Sequence, residues 1–107
     1  MFNLFATREK AFENLNGREF KDSLLKTGGI LLDVRTAGEF ASGTIKGAKN
    51  IDMMSPLFSE SINKLDKNKE YFVFCRSGNR SGQACSIMAK QGFKATNLDG
   101  GIGEYPF

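Results

Sequence analysis

The stretch Tyr71-Phe72-Val73-Phe74-Cys75-Arg76-Ser77-Gly78-Asn79-Arg80-Ser81-Gly82 changes character at its midpoint. Tyr71 to Phe74 are apolar and mostly aromatic, the composition of a buried strand. From Cys75 the residues turn small, polar and basic. A helical pattern then runs from about Ser81 to Gln91, with Ala84, Cys85, Ile87 and Met88 on its inward side. A strand that feeds a glycine-bearing loop and then a helix is one unit of an α/β fold.

The flanking sequence repeats this alternation. Upstream, Ile30-Leu31-Leu32-Asp33-Val34 is an apolar run without period two, as expected of a strand covered on both faces. Before it, Phe12 to Leu15 is a short candidate strand. Asn16 and Glu19 have capping-box spacing, predicting a helix to about Lys26 with Phe20, Leu24 and Leu25 on its apolar side and Gly28-Gly29 at its end. Thr36 and Glu39 form a second such box, opening a brief helix at Glu39–Ala41. Gly43 and Gly47 punctuate a loop, and Ala48 to Ile51 reads as a strand. Ser55-Pro56 places proline at the first helical position, followed by Leu57, Phe58, Ile62 and Leu65 at helical spacing. Downstream, Gly92 ends the last helix, Ala95 to Leu98 is a strand, and Gly100-Gly101-Ile102-Gly103 a turn. The predicted class is therefore α/β with a mainly parallel sheet.

Composition narrows the chemistry. With 107 residues the chain is about one domain, read as 1–107, and 40% hydrophobic against 25% charged residues argues against disorder. It has two Cys and no His. That excludes histidine general bases, Ser-His or Cys-His dyads, and any zinc site needing four Cys/His ligands. The longest apolar runs, such as Tyr71 to Cys75, fall far short of the roughly 20 residues of a membrane span. Met1 to Lys10 lacks the apolar segment of a signal peptide, so a cytoplasmic location with reduced thiols is expected. The net charge of +3 is scattered, with no basic stripe, so no nucleic-acid partner is expected.

The chemistry concentrates at Cys75. In open α/β sheets ligands bind beyond the carboxyl ends of the strands, and Cys75 stands at such an end. Gly78 permits backbone angles that turn successive N–H groups toward one point. The following helix aims its N-terminus there, adding about half a positive charge, and Arg76 and Arg80 add two full ones. Each feature favours thiolate over thiol. A free cysteine has a pKa near 8.5, and such surroundings lower it to roughly 3.5–7.5, so the nucleophile needs no histidine. The same field would attract an anionic substrate. The competing reading makes Cys75 a buried strand-end residue, which its polar flank argues against. Arg76 and Arg80 could instead form a solvated rim, Arg80 less readily because it sits against the helix start. Cys85 lies about 7 Å along the helix axis, and disulfides need Cα atoms roughly 4.4–6.8 Å apart. Cys85 therefore reads as a core residue, with a resolving thiol as the alternative.

Two motifs together resemble the single-domain rhodaneses, a sulfurtransferase family. The first is Leu32-Asp33-Val34-Arg35 with Glu39-Phe40, Gly43, Ile45, Gly47-Ala48 and Asn50-Ile51. The second is Cys75-Arg76-Ser77-Gly78-Asn79-Arg80-Ser81 with Gly92-Phe93 and Leu98-Asp99-Gly100-Gly101-Ile102. The resemblance covers about residues 30–103, in the family's order and spacing.

The resemblance implies a five-stranded parallel sheet with helices on both faces. It implies that Cys75 is the nucleophile that becomes a persulfide, that Arg76 to Ser81 cradle its outer sulfur, and that Asp33 and Arg35 support the loop. It implies small anionic sulfur donors, such as thiosulfate, a polysulfide or a protein persulfide. The acceptors would be thiols, cyanide or a protein cysteine, and no metal or organic cofactor is implied. Cys75 to Arg80 is a C-x4-R loop, whereas related phosphatases use C-x5-R, whose extra residue accommodates a phosphoryl group. Phosphatase or arsenate reductase chemistry is thereby disfavoured, while a sulfur-relay or binding module acting on a partner protein stays open. Thr44 stands where many relatives have His, and Tyr105 where many have Trp. The end at Tyr105-Pro106-Phe107 implies either a more open site or an apolar patch for a partner.

Overall fold

The structure, a computed structural model, describes residues 12–107; the leader expectation at Met1 to Lys10 lies outside them. In chain order the elements are β1 (Glu13–Leu15), α1 (Gly17–Thr27), β2 (Ile30–Asp33), α2 (Ala37–Ser42), β3 (Lys49–Asn50), α3 (Phe58–Asn63), β4 (Glu70–Phe74), α4 (Asn79–Lys90) and β5 (Lys94–Leu98), followed by a 3-10 turn at Ile102–Glu104. The five strands form one sheet in the order β1-β5-β4-β2-β3, every neighbouring pair parallel. The fold is the expected α/β architecture, with helices on both faces.

Both capping boxes form. The Glu19 amide donates to Asn16 Oδ1 at 2.9 Å, and the Glu39 amide to Thr36 Oγ1 at 3.2 Å, satisfying helix-start donors that would otherwise face water. Gly28, in the left-handed region, ends α1 by donating to the Leu24 carbonyl. The Pro56 expectation needs correction, because α3 starts only at Phe58. The Ser55 hydroxyl accepts from the Leu57 amide at 3.1 Å, which holds residues 55–57 in a turn ahead of the helix. Leu57 is consequently exposed, while Phe58 and Ile62 are buried. Leu25, one residue round the helix from buried Leu24, is also exposed.

Side-chain alternation along β4 divides the core. Tyr71, Val73 and Cys75 face α3 and α4, packing with Leu32, Val34, Phe58, Ile62, Ala84, Cys85 and Met88. Phe72 and Phe74 point the other way, toward Phe20 and Leu24 of α1. The Phe20 ring meets Phe72 edge-on at 5.5 Å and Tyr105 at 6.2 Å. Tyr105 is thus a packing residue over α1, and Lys21 Nζ donates to the Pro106 carbonyl at 2.8 Å. Among the described residues no helix is long and apolar enough to cross a membrane.

Candidate active site

Sheet register brings the two sequence motifs together. Asp33 pairs with Phe74, and the Val34 amide donates to the Phe74 carbonyl at 3.0 Å. The carboxyl ends of β2 and β4 therefore lie side by side, with Cys75 leaving one and Arg35 the other. Gly78, at φ +98, turns the chain sharply enough for α4 to begin at Asn79, directly over the strand end.

Three donors converge on the Cys75 sulfur. The Gly78 amide lies 3.1 Å from Sγ, the Ser81 amide 3.4 Å and the Ser81 hydroxyl 3.3 Å. Burial pushes the Cys75 thiol up. The Ser81 hydroxyl and the amides of Ser81, Gly78 and Ser77 outweigh it and hold the group below its ordinary value. The expectation that a polar flank keeps Cys75 out of the core is corrected: its exposure is 0%. The polarity belongs to the loop, whereas β4 register places the cysteine side chain on the Tyr71–Val73 face beneath α4. Cys85, in the same cluster, is buried and free, and desolvation raises its pKa.

The arginines are disposed unequally. Arg76 is exposed, as are Ser77 and Asn79, and Arg76 forms no ion pair among the described residues. Arg80 turns to Glu39, with Nη1–Oε1 at 2.7 Å and Nη2–Oε2 at 3.1 Å. The same Glu39 Oε1 accepts from the Thr36 amide and hydroxyl. Hydrogen bonding to Arg80, then to Thr36, holds the Glu39 carboxyl at about 2. Sequence spacing shows the Thr36–Glu39 cap but gives no sign of this second, distant partner.

Asp33 and Arg35 brace the neighbouring strand end. Arg35 Nη2 meets Asp33 Oδ2 at 2.7 Å, Nε meets Oδ1 at 2.9 Å, and the Arg35 amide donates to Oδ1 at 3.0 Å. Both side chains are buried, as a charge in the interior requires a partner. Arg35 Nη2 also donates to the Gly43 carbonyl at 2.6 Å, and Thr44 Oγ1 to Asp33 Oδ2 at 2.9 Å. Thr44, read from sequence as a minor departure, is thus a member of this network. On the other side of the loop, Gly101 packs so closely on the Arg76 carbonyl that a Cβ would overlap it, and the Ile102 amide donates to the Cys75 carbonyl at 2.9 Å. Asn97 Nδ2 reaches Asn14 Oδ1 at 2.8 Å and the Gly78 carbonyl at 3.4 Å. Among the described residues no group of three or more His, Cys, Asp or Glu could hold a metal ion.

The arrangement can stabilise a sulfur anion at Cys75 and a second atom attached to it, through donors that need no reorganisation. Comparison with known proteins agrees with the fold and the motifs. The profile described as Rhodanese-like domain matches residues 17–105. The chain is 38% identical over 74 residues to a sulfurtransferase of Allochromatium vinosum, covering 68% of this chain and 67% of that one. It is 31% identical over 85 residues to the thiosulfate sulfurtransferase GlpE of Pseudomonas fluorescens, covering 78% and 76% respectively. A crystal structure of a rhodanese-like domain protein from Staphylococcus aureus superposes with a TM-score of 0.77 at 30% identity, over 88% of this chain and 91% of that one. The chain belongs to the rhodanese-like domain family.

Proposed function

We propose that the protein is a sulfurtransferase that carries sulfane sulfur on Cys75, with residues 1–107 acting as one domain. The Cys75 thiolate attacks the outer sulfur of a donor R–S–S⁻ or ⁻S–SO₃⁻. A Cys75–S–S⁻ persulfide forms, and the donor leaves with the electron pair of the broken S–S bond, as R–S⁻ or as sulfite. A thiolate or cyanide acceptor then takes the outer sulfur, and the Cys75 thiolate returns. Each half-reaction conserves charge and requires no external oxidant or reductant. The family membership and the likeness to named sulfurtransferases support this reading.

The observation that carries it is the convergence of the Gly78 amide, the Ser81 amide and the Ser81 hydroxyl on one sulfur at the start of a 12-residue helix. Such donors stabilise the thiolate before attack and the persulfide anion afterwards. Arg76 would meet the incoming anion, and Asp33 and Arg35 would fix the strand end beside the loop. Phosphoryl transfer is less well served, since Arg80 is committed to Glu39 instead of facing an ester inside the loop.

Intact-protein mass spectrometry after exposure to thiosulfate or a persulfide tests the proposal. The expected result is a gain of one sulfur atom that cyanide removes, that Cys75→Ala abolishes and that Cys85→Ser retains. A gain that survives Cys75→Ala and disappears in Cys85→Ser would assign the carrier role to the wrong cysteine.

A further inference from the structure

The charge around Cys75 is nearly balanced. Arg35 is tied to Asp33, and Arg80 is tied through Nη1 and Nη2 to Glu39. Asp52 adds a further negative field at Arg80. Of the three arginines in the two motifs, only Arg76 is left without a carboxylate partner among the described residues. The remaining attraction comes from Arg76, the amides and the end of α4, and the negative charge of the Cys75 thiolate itself opposes it. It suits a donor with one negative charge better than a donor with two.

We infer that Glu39 is a specificity-determining residue: by neutralising Arg80 it biases the site toward monoanionic persulfide donors, small-molecule or protein-borne, over the thiosulfate dianion. This rests on the reading of Cys75 as a sulfur carrier. In the favoured transfer, R–S–S⁻ and the Cys75 thiolate give R–S⁻ and the Cys75 persulfide. The total charge is unchanged, and one S–S bond breaks as another forms. Glu39 acts through Arg80 and touches no reacting atom, so it is a positioning residue. Its effect is electrostatic and falls on donor capture.

The test compares kcat/KM for thiosulfate with that for 2-hydroxyethyl persulfide, whose persulfide anion is its only charge, both scored by sulfur loading of Cys75, in the wild type, Glu39→Gln and Arg80→Gln. Glutamine keeps the capping hydrogen bond at position 39 and removes the charge. A donor carrying one more charge gains more from an unmasked guanidinium. The thiosulfate-to-persulfide ratio should therefore rise about three- to fivefold in Glu39→Gln, mainly through KM. Arg80→Gln leaves Glu39 unopposed, and the ratio should fall by a similar factor. Both shifts should shrink to less than about twofold when salt is raised from about 0.05 to about 0.5 M. A ratio unchanged in Glu39→Gln, a fall in both variants, or shifts insensitive to salt would overturn the role of Glu39 while leaving the carrier role of Cys75 standing. Should neither donor load wild-type Cys75, the function proposed above fails and takes this inference with it.

Discussion

Gly101 lies against the carbonyl of Arg76, so that the turn after β5 forms a wall of the Cys75 loop. At φ +86 and ψ −173 its backbone is in a region open only to glycine, and a methyl group there would overlap the Arg76 carbonyl and the Ser77 amide. Gly101→Ala should therefore destabilise the fold by about 2–4 kcal/mol, read as a lower denaturant midpoint with an unchanged slope. Displacing residues 76 and 77 would also loosen the donors around Sγ, so sulfur loading should fall with stability. An unaltered midpoint would mean that the turn is free to move away from the loop.

Ser81 contributes two of the three hydrogen bonds to Cys75 Sγ, one from its amide and one from its hydroxyl. Ser81→Ala removes the hydroxyl and keeps the amide and the helix. The thiol should become harder to ionise, and the pH midpoint of its alkylation by iodoacetamide should move upward toward that of a free cysteine. At neutral pH the alkylation rate should drop about tenfold, since a hydrogen bond to a charged group is stronger than a neutral one. Cys85, whose thiol is held well above its ordinary value by desolvation while the loop donors lower that of Cys75, should stay unlabelled in the folded protein under the same conditions. Labelling of Cys85 ahead of Cys75 would contradict the electrostatic account of the loop.

The Glu39–Arg80 pair sets a window of pH dependence. Arg80 and Thr36 hold Glu39 at about 2 in the folded protein, below the roughly 4.3 of a free glutamate. The unfolded chain therefore binds this proton more readily, and the pair's contribution is present above about pH 4.5 and is lost as pH falls toward 2. Both side chains are about one-quarter exposed, which limits the contribution at neutral pH to at most about 1 kcal/mol. Glu39→Gln should be less stable than the wild type at pH 7, and the two should converge near pH 2. A gap that persists in acid would point to a packing role for position 39 instead of a charge role.

Local chemistry made most of this architecture legible in the sequence. The Asn16–Glu19 and Thr36–Glu39 boxes, the aromatic run at Tyr71–Phe74 and the glycine after it each act within a few residues, and each appears in the structure within one or two residues of its expected place. Features that depend on register were not legible. Glu39 and Arg80 are 41 residues apart, and only the adjacency of β2 and β4 brings their elements together. The burial of Cys75 follows from its phase on β4, which the polar loop disguised. The contact between Gly101 and Arg76 spans two elements, so the sequence shows a flexible turn without the wall it forms. Pro56 misled for the opposite reason: a favourable local rule put the helix start there, but the turn held by the Ser55 side chain runs through Leu57, so α3 opens two residues later.

The buried Asp33–Arg35 pair offers a test of what supports the site without touching the sulfur. Arg35 satisfies the Asp33 carboxylate through its Nε, Nη2 and amide and extends to the Gly43 carbonyl, while Thr44 fills a further acceptor position on Asp33. Arg35→Met preserves much of the side-chain volume but strands a carboxylate in a site with 0% exposure. The expected loss is about 3–5 kcal/mol, the range for breaking one side of a buried ion pair. Thr44→Val removes a single neutral donor and should lower stability by only about 1 kcal/mol. Because Cys75 keeps its own donors in both variants, the residual folded protein should still load sulfur when assayed well below the denaturation midpoint. Equal losses from Arg35→Met and Thr44→Val would mean that the carboxylate recruits water or a proton once Arg35 is gone, and that the network does not depend on the ion pair.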